Sequence, residues 1–239
     1  MRSERNSSRA SADGLLPWDG SRTPPAVSSA APYYEPSFLD RRCERLVVTF
    51  LIQLYGQVTT PVPSRALINL VERDAADLDL YARLPDGVLG VTHFDPPRKP
   101  RVQIARTLFE DGRRVHRLRF TLAHEYAHVV IHAPLYLRAG LARREEHPCT
   151  DTNINASVTP VDWMEWQASY AAGALLMPIS RLEALIVACL PAGLPAPLPV
   201  DQPPGRDLQQ RASEAFMVSP DAAAVRLAQL GYVALHHLN

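Results

Sequence analysis

The stretch RLRFTLAHEYAHVVIH, residues 117–132 of a 239-residue chain, carries two histidines four apart with a glutamate after the first. Residues four apart on an α-helix differ by about 40° in direction, so His124 and His128 project from one face. Neutral imidazole is a preferred ligand for a metal such as Zn2+, and two on one face can share an ion. Glu125 lies beside the pair, placed to take a proton from an activated water without being a ligand. Leu118, Leu122, Tyr126 and Val129 line the other face and give the helix an apolar back to bury.

Two imidazoles are an incomplete catalytic metal site, because three protein ligands are typical. The pattern HExxHxxGxxH would supply the third in line, but Ile131 and Pro134 stand where it needs glycine and histidine. His132 lies one further turn along, and its axial distance from the first pair marks it as a bystander. Three glutamates follow. Glu145 and Glu146 sit in RREEHPC, a charged loop segment whose ordinary role is solvation. Glu165 sits in a helical stretch whose stripe continues through Ala168, Ala172 and Leu175, with Ser169, Ala171 and Gly173 close by. Small residues let two helices approach, so Glu165 can reach a metal held opposite; the same stripe equally suits tight packing with Glu165 in solvent. Asp162 has two readings as well, orienting a ligand imidazole or placing negative charge at a helix N-terminus.

Taken together, RFTLAHEYAHVVIH and EWQASYAAGALLMP resemble the ImmA/IrrE family of zinc metallopeptidases, which pairs RFTLAHExxHxxxH with a later ExxAxxFAxxLLMP. PRVQIA is similar to the strand before the family's active helix, and FMVSPDAAAVRLAQLGYV to its helical ending. The likeness covers residues 40–239, with 133–160 and the proline-rich segment as poorly matching inserts. It implies a zincin-like fold, Zn2+ held by His124, His128 and Glu165, and Glu125 as general base. It also implies hydrolysis of a protein substrate, a helix-turn-helix repressor of a phage, mobile element or stress response. Ala171 departs from the family's usual Phe, and Ser169 from its common Asn or Asp. Such a reaction needs an oxyanion donor, for which Tyr170, His116 and His147 are candidates. Two other classes compete: a catalytically inactive zinc-binding interaction module, and a DNA-binding regulator using the C-terminal helices.

The elements around these residues read as α+β, with helices surrounding a small sheet. Residues 1–36 are rich in Ser, Pro, Ala and Arg and bury too little to order, so a disordered tail is expected. The domain of interest spans 37–190. It opens with a helix capped by Ser37, then PSRALINLVERDAADLDLY as a second helix, then a hairpin from GVLGVTHF to RVQIA. The strand 100–105 is a candidate edge for pairing with an extended substrate. Pro134 predicts that the histidine helix stops near His132, and 133–160 reads as a long polar connection. Pro178 ends the Glu165 helix, and a short apolar helix runs on to Cys189.

Residues 191–205 read as an extended proline-rich linker, and 206–239 as two helices packed on the core, with Ser219 as N-cap and Gly231 as stop. Arg206, Arg211 and Arg226 balance Asp207, Glu214 and Asp221 there, which favours packing over DNA binding. Across the chain 25 basic residues balance 25 acidic ones, so no global field draws it to nucleic acid or membrane. Three scattered cysteines suggest no disulfide framework, and no stretch is apolar enough for a signal peptide or a membrane span. A cytoplasmic location is expected, and nothing in the pattern sets an oligomeric state.

Overall fold

The computed structural model describes residues 34–138, 145–150, 163–190 and 197–235. The expected tail up to residue 33 and Asp162 lie outside these residues. The class is α+β, with a small mixed sheet among helices.

The chain opens with α1 (Pro36–Tyr55) and α2 (Ser64–Asp74). α1 begins at Pro36, whose fixed φ suits a first helical position, so Ser37 lies inside the helix and is not its cap. α2 is shorter than its sequence pattern predicts. Beyond Ala75 the alternation of Asp77, Leu78, Asp79 and Leu80 has the two-residue period of a strand, and β1 (Asp77–Ala82) forms there. β2 (Val88–Phe94) and β3 (Arg101–Ala105) form the expected antiparallel hairpin, Val91 opposite Gln103. β1 pairs parallel to the far side of β3, Leu78 opposite Val102. β3 is therefore an interior strand, and the substrate-pairing edge expected at 100–105 is already taken by β1.

A short α3 (Arg106–Glu110) and a single 3-10 turn lead into α4 (Val115–Ala127), the histidine helix. It does not stop near His132. His128–His132 form one turn of π-helix, and α5 (Ala133–Arg138) follows directly. Pro134 has no N–H to return to the preceding turn, and the Val130 carbonyl four residues back accepts from an Arg42 terminal nitrogen at 2.8 Å instead. The polar connection also contains β4 (Glu145–Thr150), antiparallel to β2 at the sheet's edge, so the strand order is β1-β3-β2-β4. Glu145 and Glu146 thus lie on a strand, at the register positions opposite Phe94 and His93.

α6 (Trp163–Leu176) packs along α4, as its stripe of small residues allows. α7 (Ile179–Cys189) follows Pro178. The proline-rich segment contains β5 (Leu198–Pro199), which pairs with β6 (Val233–Ala234) at the end of the described chain. Between them lie α8 (Gly205–Phe216) and α9 (Pro220–Gln229). Ser219 caps α9, its Oγ accepting from the Ala222 N–H at 3.1 Å, and Gly231 takes the left-handed turn after it.

One core joins these parts. Leu39, Leu67, Ile104, Leu122, Leu175, Phe216 and Leu227, drawn from α1, α2, β3, α4, α6, α8 and α9, belong to a single buried cluster. Arg119, fully buried on α4, ties distant segments together: Nε donates to the Met217 carbonyl, one terminal nitrogen to the Val62 carbonyl, the other to the Phe216 carbonyl. Burial lowers its pKa to about 10, and the three carbonyls solvate the charge in place of water. Among the described residues no single helix is long and apolar enough to cross a membrane.

Candidate metal centre

The contact of α4 with α6 brings His124, His128 and Glu165 together. His124 Nε2 lies 2.9 Å from Glu165 Oε2, and His128 Nε2 lies 3.1 Å from Glu165 Oε1. The two Nε2 atoms are 3.2 Å apart. Four ligands placed tetrahedrally about 2.0–2.1 Å from a common ion are separated by roughly 3.3 Å. The three side chains are buried, with Glu165 at 7% exposure, so they can hold a metal ion shielded from solvent. Glu165 therefore faces α4; the stripe Ala168–Ala172 permits the approach.

The outer nitrogens of both rings are occupied, which turns the inner ones toward the shared point. His132 is no bystander: its Nδ1 lies 2.9 Å from His128 Nδ1, and its Nε2 lies 3.2 Å from Gln167 Oε1. An amide oxygen only accepts, so His132 Nε2 carries a proton and its Nδ1 receives one from His128 Nδ1. The neutral His128 ring is then left with a lone pair on Nε2. On the other ligand, His124 Nδ1 lies 3.4 Å from Ser169 Oγ. Such outer hydrogen bonds set the tautomer and direction of a ligating imidazole. The π-turn at His128–His132 adjusts the helix where the second and third rings meet at a 55° tilt, their centroids 4.9 Å apart. Three electron-rich atoms thus converge on one point, and a cation fits them.

β2 supplies the other wall. Thr92 Oγ1 donates to Glu125 Oε2 at 2.6 Å. A Cβ on Gly90 would stand 2.5 Å from Glu125 Oε1, so the space of Glu125 exists because residue 90 has no side chain. Glu125 is fully buried, next to His124 but outside the trio. Phe94, two residues on, sets its ring edge against His128 at 6.3 Å between centroids and stacks on Tyr136 of α5. From β4, fully buried Cys149 enters the same place: its Sγ and ligand atoms of His124 and Glu125 lie within 4.8 Å of one another.

Two of the candidate oxyanion donors, Tyr170 and His116, lie away from the trio. Tyr170 donates its hydroxyl to Asp40 Oδ2 at 2.8 Å, away from the trio. His116 is exposed at the start of α4, eight residues and so about 12 Å along the helix from His124. His147 falls on β4 at the register position opposite Thr92. His132, Gln167, Thr92 and Gly90 are the site residues that motif reading missed. The second i, i+4 histidine spacing and a glycine inside an apolar strand were their sequence signals.

Comparison of the sequence with protein-family models and with curated proteins finds no match.

Proposed function

We propose that this chain is a zinc-dependent endopeptidase of the ImmA/IrrE kind, built on a zincin-like fold and working in the cytoplasm. Its substrate is a protein, and the resemblance directs the proposal to helix-turn-helix repressors of phage, mobile-element or stress-response genes. The observation that carries it is the convergence of His124, His128 and Glu165 with a separately held carboxylate, Glu125, beside them.

Zinc, when bound, supplies Lewis acidity toward the scissile carbonyl and lowers the pKa of water. His124, His128 and Glu165 would hold it. Glu125 takes the proton of the attacking water and delivers it to the leaving amine. The Thr92 hydroxyl, bonded to Oε2, fixes the carboxylate's rotation. Burial of the whole group keeps bulk water from competing for these contacts.

The C-terminal helices support packing over DNA reading. Arg226 of α9, only 1% exposed, pairs with Asp40 of α1 at 2.7 Å and is not presented to a phosphate. Two measurements test the proposal. The purified chain is expected to carry zinc, and Glu125→Gln to retain it while cleavage of a co-expressed repressor falls by roughly 10²–10⁴-fold, the usual weight of general acid–base catalysis. A folded wild-type chain without metal, or a Glu125→Gln variant that cleaves as well as wild type, overturns it.

A further inference from the structure

The place of Cys149 has a consequence beyond three-ligand chemistry. Three protein ligands leave a tetrahedral metal one position, which a catalytic site gives to water and a closed site fills with protein. Thiolate is among the ligands zinc prefers, at about 2.3 Å; beside a nitrogen ligand at 2.0–2.1 Å it stands roughly 3.6 Å away. Cys149 Sγ already lies within 4.8 Å of ligand atoms of His124 and Glu125 and is shut off from solvent.

The backbone explains how it arrives there. Cys149 pairs with Gly90, and in antiparallel strands directly opposed residues share a face. Gly90 and Thr92 both meet Glu125, so that face is the one turned to α4. With no side chain at residue 90, the opposing thiol meets no obstruction from β2. β4 also covers the edge of β2, the strand beside the centre, which an extended peptide adding to the sheet would otherwise use.

Resting on the zinc reading above, we propose that Cys149 is a fourth metal ligand, so that the resting centre is closed and β4 stands where a substrate strand would pair. On closure the Sγ–H bond breaks, the proton passes to the Glu125 carboxylate, and the sulfur electron pair replaces water at the ion. Opening reverses each change. The chain is latent until β4 is drawn aside.

The test is the full-length chain loaded with cobalt(II). A thiolate on cobalt gives an intense near-ultraviolet charge-transfer band, expected in wild type and in Cys189→Ala and lost in Cys149→Ala and Cys149→Ser. Cys43 does not confuse the reading, because it lies in α1 within the apolar core, where burial pushes its thiol up to about 12. A second measurement needs no variant: X-ray absorption at the cobalt edge is expected to show one sulfur neighbour at about 2.3 Å. Cobalt bound without the band, a band surviving in both Cys149 variants, or a cobalt shell without sulfur overturns the ligand assignment and leaves the three-ligand reading standing. A chain that takes up no cobalt overturns both.

Discussion

α6 contributes to two buried polar clusters. In one, Tyr170 donates to Asp40, whose other oxygen meets Arg226, and the guanidinium also lies over the Tyr170 ring, 5.4 Å from its centroid. In the other, Glu165 meets His124 and His128. The first contains its own cation, so carboxylate and guanidinium offset each other and three helices are joined without outside help. The second collects a carboxylate and two imidazole lone pairs, with a second carboxylate adjacent. Buried groups of that kind are costly unless paired or coordinated to a metal. The same helix thus holds one cluster built for structure and one built to receive an ion.

His124→Ala separates the two most sharply. The substitution removes one of the two ligating imidazoles, and metal content of the purified protein is expected to fall to background while the Asp40–Arg226 pair still holds α1 to α9. A variant that keeps stoichiometric metal would show that the two clusters do not differ in the way described. The converse substitution, Asp40→Ala, leaves Arg226 buried without its partner, at a cost of about 3–5 kcal/mol. Chemical denaturation of the metal-free chain reads that loss, and the folded variant is expected to bind metal as before. A change below about 1 kcal/mol, the range of an exposed pair, would break the contrast.

His132→Ala asks how far the metal cluster extends. His128 loses the acceptor for its Nδ1 proton, and losses of this kind typically weaken metal affinity about 10–100-fold. Gln167→Ala removes the end of the same relay and is expected to act in the same direction. Competition with a chelating dye measures both. An unchanged affinity would return His132 to the bystander role that helix geometry alone assigns it.

That reversal marks where sequence reading ends. The spacing of His124 and His128 and the small-residue stripe after Glu165 were legible because each depends on one helix and its period. Ser219, Pro220 and Gly231 announced α9 for the same local reason. What could not be read depends on pairing between distant segments. β1 showed a local alternation from Asp77 to Leu80 that a longer helical reading overran, whereas β4 looked like a polar loop because its pairing with β2 has no local signature. Gly90 reads as a weak point in a strand, and becomes the space for Glu125 only when β2 lies against α4. The helix running on past Pro134 has a cause of the same kind: Arg42 of α1, distant in sequence, donates to the Val130 carbonyl that the proline cannot serve.

The smallest effect belongs to Ser169, which stands where the resembled family commonly has Asn or Asp. Its hydroxyl lies 3.4 Å from His124 Nδ1, at the long end for a hydrogen bond, so it orients that ring weakly compared with the 2.9 Å contact behind His128. Ser169→Ala is expected to lower metal affinity less than His132→Ala does, by no more than about 10-fold. Ser169→Asp, which places a charged acceptor behind the ring, is expected to raise it, since such a partner makes the ligating nitrogen more basic. The same chelator competition reads both. Equal losses from Ser169→Ala and His132→Ala would mean that the two histidines are held alike. The expected order, His132 well above Ser169, places the firmer support behind His128, at the π-turn.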